Sequence, residues 1–242
     1  MRLYHGTVAE SLPSIVRDGV RPRGELAGTS NWSHSVESHP DTVYLTTAYA
    51  CYFAYNAAAE DFEALTPAIV EIETELLERP DMLVPDEDAL EQMTRFLPDG
   101  ELLDELQCGL SYDPRADMSH VAERTRLYRE MAAELGDWWV KSIEVMGTCG
   151  HRGTVPPGAI TRLAVLDKDA PLTLAALDAQ VGVNNYGVCG ARYRNITRAI
   201  FGDVRNLESD PLSMPGEHQR LPELVGNVRG FEPCDLLAEF EP

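Results

Sequence analysis

Arg2-Leu3-Tyr4-His5-Gly6-Thr7 and Thr42-Val43-Tyr44-Leu45-Thr46-Thr47 are the two stretches on which the fold of this chain turns. The first reads as a short strand ending at Gly6, and the second, β-branched and aromatic, as another strand. Between them, residues 11–20 read as a short helix. Leu12, Ile15 and Val16 share one face, Ser11 stands where a cap belongs, and Gly19 suits a left-handed stop. Residues 22–41, rich in Gly, Ser, Pro and His, are expected as a surface loop. After the second strand, the alanines and aromatics of residues 48–59 predict a buried or half-buried helix. Pro67 then introduces a strand over 68–74, where Val70, Ile72 and Thr74 alternate with Glu71 and Glu73, a pattern that predicts one wet face.

Farther along, residues 80–136 read as helical and acidic. Asp88-Ala89-Leu90-Glu91 has capping-box spacing, and Val121, Leu127, Tyr128, Met131 and Leu135 form a helical stripe. Strand character returns over 137–167, with Pro156-Pro157-Gly158 turning the chain into a last strand at 160–166. Residues 171–242 are weaker in pattern, with one helix expected at about 191–201. Strands first, helices in the middle and strands again make the class α+β rather than a regular β-α-β alternation.

The 242 residues are enough for one domain with an appendage, or two small ones. A formal net charge of −20 disfavours sequence-independent nucleic-acid binding, because such a surface repels phosphate backbones. Basic charge is almost all arginine, lysine occurring only at 141 and 168, and Arg192, Arg194 and Arg198 form the one dense basic cluster, read as a solvated helix face. Five cysteines (51, 108, 149, 189 and 234) are scattered without a C-x-x-C pair, against both a disulfide framework and a zinc site. His34 and His39 flank a Ser-rich loop with no convincing third ligand, so no metal is expected. No apolar run of about 18 residues is present, so no membrane span is expected. The N-terminus lacks the apolar stretch of a secretory signal, which makes the cytoplasm the expected location. Nucleotide-binding glycine loops, P-loops, H-E-x-x-H and G-x-S-x-G are all missing.

Tyr4-His5-Gly6-Thr7, the helix ending Arg17-Asp18-Gly19-Val20, and Val43-Tyr44-Leu45-Thr46-Thr47 together resemble the N-terminal half of ADP-ribosyltransferases of the His-Tyr-Glu branch, which includes the poly(ADP-ribose) polymerases. The resemblance covers about residues 1–75 and again 145–167. It implies a split β-sheet core in a domain at 1–170, with a helical insertion at about 80–136 and a C-terminal extension at 171–242. It also implies NAD as substrate, held by His5, Gly6 and Thr7. Tyr44 matches the strand tyrosine of that family, and Tyr55 falls at the spacing of the helix tyrosine that stacks on nicotinamide, with Tyr52 the nearby alternative. The residue types suit those tasks. A neutral imidazole bonds a ribose hydroxyl, glycine admits close backbone approach, and a tyrosine face attracts a pyridinium cation.

The family's catalytic glutamate precedes a hydrophobic-Pro-Pro turn. Here Val155-Pro156-Pro157 follows His151-Arg152-Gly153-Thr154, without a carboxylate. A unit charge at about 5 Å and an effective dielectric near 20 contributes roughly 3 kcal/mol, so arginine for glutamate shifts the barrier by about 6 kcal/mol, some four decades in rate. Glu144 in a strand of different register, Glu71 and Glu73 from the other strand, or Arg152 as a phosphate ligand each resolve the conflict, and His151 is a further candidate to assist. Two functions follow. One is NAD-dependent transfer of ADP-ribose to a protein or nucleic-acid target, with Glu144, His5 and Tyr55 catalytic. The other is a non-catalytic descendant that binds NAD, ADP-ribose or a protein partner.

Overall fold

The computed structural model describes residues 1–26, 38–61, 64–87, 89–90, 126, 129–166, 186–202 and 229–233. In chain order its regular elements are β1 (Arg2–Val8), α1 (Leu12–Asp18), β2 (Thr42–Thr46), α2 (Ala50–Ala58), β3 (Pro67–Glu73), β4 (Leu83–Pro85), α3 (Trp139–Met146), β5 (Thr148–Arg152), β6 (Ile160–Val165), α4 (Tyr186–Ile200) and β7 (Arg229–Phe231), with short 3-10 turns between them. Mixed helices and open antiparallel sheet make the class α+β, as the element pattern implied. The chain divides into two compact units. Unit 1 holds Met1–Val20, Leu45–Pro80 and Val155–Pro242, and unit 2 holds Arg21–Tyr44 and Asp81–Thr154.

In unit 1, β1 lies between the end of β2 and β3, and the order continues through β6 to β7. Every pairing whose register is resolved there is antiparallel, from Tyr4 opposite Thr46 to Leu163 opposite Phe231. Tyr4 and Gly6 face α2, so pleating sends His5 and Thr7 to the other side of the sheet. A Cβ built on Gly6 would stand 2.4 Å from the Ala54 nitrogen and 2.6 Å from the Ala50 carbonyl oxygen. The bare glycine therefore lets β1 seat directly on the α2 backbone. One apolar cluster unites Tyr4, Tyr49, Ala54 and Tyr55 with Tyr193, Ile196 and Ile200 of α4. Burying each large side chain contributes about 1.5–3 kcal/mol. The Thr197 hydroxyl adds a bond of 2.7 Å to the Ala48 carbonyl.

Several local expectations need correction. Ser11 makes no capping bond to α1; instead the Ser14 hydroxyl donates to the Ser11 carbonyl at 2.8 Å. Gly19 does take a positive φ of 88°. β3 has no wet face: Glu71 is 2% exposed, and only Glu73 at its end is half-buried. A register shift between Glu71 and Ile72 brings two neighbours of β6 onto that one carboxylate. Arg162 donates from Nε to Oε1 at 2.8 Å and from Nη2 to Oε2 at 2.5 Å, while the Thr161 hydroxyl donates to Oε1 at 2.7 Å. Arg162 also reaches the Phe201 carbonyl at 2.8 Å, tying the end of α4 to the sheet. On α4, Tyr193, Asn195, Ile196, Thr197, Ala199 and Ile200 are buried, while Arg194 and Arg198 are half-buried; the side chain of Arg192 lies outside the described residues.

In unit 2, β5 lies between β4 and the start of β2. β4 is a strand inside a stretch whose pattern predicted helix, and Leu83, Val84 and Pro85 are all buried there. The largest correction is α3. Residues 139–146 form a helix rather than a strand, with Ser142, Ile143 and Met146 as its buried stripe and Gly147, at φ 73°, as its left-handed end. The Ser142 hydroxyl ties the unit together. It donates to the Thr148 carbonyl at 2.7 Å and accepts the Asp86 N–H at 3.1 Å. The capping-box residues Asp88 and Glu91, the stripe residues Val121, Leu127 and Tyr128, and His34 lie outside the described residues. Among the described residues no helix is long and apolar enough to cross a membrane. Cys51 and Cys149 are buried free thiols, and burial pushes the Cys51 thiol up to about 12.

Candidate functional site

A pocket of about 290 Å³ opens in unit 2, near the lower edge of the ~300–1,000 Å³ common for small-molecule sites. Thr42 of β2 and Val84 of β4 line it, and Gly150 of β5 stands against both. A Cβ at position 150 would lie 2.6 Å from the Thr42 methyl and 3.1 Å from a Val84 methyl, so glycine keeps this wall in place. The polar lining comes from four places. His39 and Asp41 precede β2, Glu87 follows β4, Arg129 opens the helical stretch 129–134, and Arg152 ends β5. Two guanidiniums thus line one cavity in a chain of net charge −20.

Glu87 is placed by the turn that begins at Asp86, whose carbonyl accepts the Leu90 N–H at 3.1 Å. Its Oε2 accepts the Tyr44 hydroxyl at 2.6 Å, and that same hydroxyl oxygen accepts the His39 N–H at 2.6 Å. Burial, with Asp86 beside it, raises the Glu87 carboxyl to about 7, although Tyr44 and Arg129 pull the other way. The Tyr44 phenol is driven far above its ordinary range by burial and by the charge of Glu87. The Asp41 N–H donates to His39 Nδ1 at 3.0 Å, which assigns the ring proton of neutral His39 to Nε2. Burial, and then the Arg129 charge, hold His39 below the usual histidine range, so it is neutral at pH 7. Arg129 also reaches the Ser38 carbonyl at 3.3 Å. The cavity thus sets two guanidiniums beside two carboxyls, one of which, Glu87, is raised to about 7.

The residues singled out from the sequence fall into both units. In unit 1, His5 and Thr7 are half-buried on one face of β1. Tyr55 is 8% exposed inside the cluster that Tyr4 joins, with Tyr52 packed partly buried against it. His5 and Tyr55 therefore lie on opposite sides of the sheet, and the space next to Gly6 is taken by α2 backbone. In unit 2, Tyr44 and Arg152 come to the pocket, Tyr44 through Glu87 and Arg152 as part of the lining. Glu144 does not. It is on α3, 58% exposed, and pairs with Lys141 one helical turn away at 3.0 Å. His151 is buried within β5, its Nδ1 3.1 Å from the Gly153 carbonyl, and burial lowers its pKa. Among the described residues no group of three or more His, Cys, Asp or Glu side chains is arranged to hold a metal ion.

Sequence reasoning missed Glu87, Arg129 and Gly150, and weighed His39 only as a metal ligand. One signal was available: Leu83-Val84-Pro85 is a short apolar run followed by three acids, Asp86, Glu87 and Asp88, the pattern of a strand that delivers carboxylates at its end. Arg129 carried no comparable mark. Comparison with known protein families, with curated proteins and with solved structures finds no match for this chain.

Proposed function

We propose that this chain binds NAD or ADP-ribose in an ADP-ribosyltransferase-like fold, with the pocket of unit 2 receiving the ligand's phosphates. The observation that carries the reading is the pairing of Arg129 and Arg152 in one cavity beside neutral His39, in an otherwise strongly acidic chain. Guanidiniums give phosphate oxygens paired donors, and a neutral imidazole adds a donor without repelling them. The ligand class rests on the resemblance carried by His5-Gly6-Thr7 and Tyr44, and on Arg152 as the phosphate ligand among the alternatives the sequence left open. The exposed, Lys141-paired position of Glu144 supports binding over Glu144-dependent catalysis.

A second reading keeps transferase chemistry, with NAD as substrate and a protein or nucleic-acid acceptor. Its support is Glu87, a carboxyl inside the pocket whose pKa lies near the working pH, as general acid–base groups require. Calorimetry with NAD and with ADP-ribose, run beside a nicotinamide-release assay in cell lysate, separates the two. Binding without release supports the module, and release supports the transferase. Failure to bind either ligand, or unchanged affinity in Arg152→Ala, would overturn the pocket assignment. His5→Ala tests the resemblance separately: unchanged NAD affinity would remove the His5-Gly6-Thr7 reading.

A further inference from the structure

Arg129 and Arg152 favour an anion, yet Glu87 and Asp41 line the same cavity. Glu87 is only 5% exposed and cannot turn away into water. With Tyr44 donating to Oε2, the proton of a neutral Glu87 belongs on Oε1. Among the described residues, the surroundings of Glu87 are few enough to name. Asp86, next in the chain, repels its charge, while Tyr44 and His39 on the β2 side are both neutral at pH 7. Arg129 attracts it from the helical stretch 129–134, and Arg152 and Asp41 complete the charged lining. On α3, Lys141 and Glu144 are occupied with each other at the surface.

An ionised Glu87 would stand against any phosphate that the arginines hold, in a cavity where solvent screens poorly. We propose that the pocket takes the pyrophosphate of its ligand with Glu87 in the neutral form, the carboxylic acid donating its O–H to a phosphate oxygen while Arg129 and Arg152 balance the charge. This rests on the reading that the pocket receives phosphates and adds to it the protonation state of Glu87 and a pH dependence. The carboxyl already titrates at about 7, and a bound polyanion raises it further. Above that pH, binding therefore draws one proton from solvent. Affinity falls about tenfold per pH unit until the bound form itself begins to ionise.

ADP-ribose is the probe, since its pyrophosphate stays fully ionised through neutral and alkaline pH. Titration calorimetry at pH 8, in buffers of different ionisation enthalpy, is expected to show uptake of close to one proton per ligand. Affinity is expected to fall between pH 7.5 and 9. In Glu87→Gln, which keeps the acceptor for Tyr44, the uptake disappears and the affinity stays flat. Binding of ADP-ribose with no proton uptake and flat affinity overturns the inference but leaves the phosphate pocket standing. Uptake that persists in Glu87→Gln overturns it too, by assigning the proton elsewhere. The wild-type titration decides even if the variant fails to fold. Absence of ADP-ribose binding at any pH from 5.5 to 9 removes the pocket reading itself, and this inference with it.

Discussion

Among the described residues each unit buries one glutamate, and the two are held in opposite ways. In unit 1, Glu71 meets a two-pronged Arg162 and a threonine hydroxyl, and Arg162 spends its remaining reach on the Phe201 carbonyl. In unit 2, Glu87 meets the neutral Tyr44 phenol and stands on the wall of a cavity that two arginines also line. The first is a closed ion pair whose role is to lock β3, β6 and the end of α4. The second is a carboxyl kept near its titration point beside open space. Burial alone does not distinguish the two: Glu71 meets a guanidinium in a two-pronged pair, whereas Glu87 accepts from a neutral phenol.

The largest expected effect tests the closed pair. Arg162→Met leaves Glu71 buried without its countercharge, and such a break costs about 3–5 kcal/mol. Urea unfolding should report that loss; a cost under about 1 kcal/mol would remove Glu71–Arg162 as the lock of unit 1. Next comes Glu87, for which the effect has the opposite sign and depends on pH. Its folded pKa, about 7, lies above the ordinary 4.5. Below pH 4.5 the group is protonated folded or unfolded, and its contribution to stability is fully present. As pH rises from 4.5 through 7 the unfolded chain releases its proton first, and stability falls by up to about 3 kcal/mol. Glu87→Gln cannot titrate, so relative to wild type it should gain about that much between pH 4 and pH 8. Equal pH profiles for the two proteins would show that Glu87 is no less satisfied than Glu71.

A paired glycine test sharpens the same contrast with a smaller effect. Gly6→Ala drives its methyl into α2 backbone, whereas Gly150→Ala meets the side chains of Thr42 and Val84. Overpacking costs typically about 1–3 kcal/mol, and Gly6 should fall at the upper end because backbone yields less than side chains. If Gly150→Ala proves the costlier in thermal unfolding, the wall of the unit 2 pocket is the more rigid of the two regions. The smallest effect belongs to Glu144. Replacing it with alanine removes an exposed pair and should change stability by less than about 0.5 kcal/mol, with ligand affinity unchanged. A large drop in affinity would return Glu144 to the site.

Read from the sequence alone, β1, α1, β2, α2, β3 and β6 were legible to within a residue or two, because each carries its signal locally. β-branched runs ended by Gly or Pro, and a helix face at spacings of three and four, need no partner to be recognised. Tyr44 and Arg152 were candidates through the family resemblance alone, and the structure places Tyr44 against Glu87 and Arg152 in the lining of the unit 2 pocket. Tertiary structure decided what local pattern could not. Residues 137–167 read as strand, but within them Ser142, Ile143 and Met146 bury as a helical stripe. Glu71 looked like a solvent-facing acid because its partner Arg162 is 91 residues away, and Glu87 went unnoticed because Tyr44 is 43 residues away. Whether an acid is wet, locked or poised depends on the charge brought to it by distant chain, and that charge is set only when the sheet and its helices are assembled.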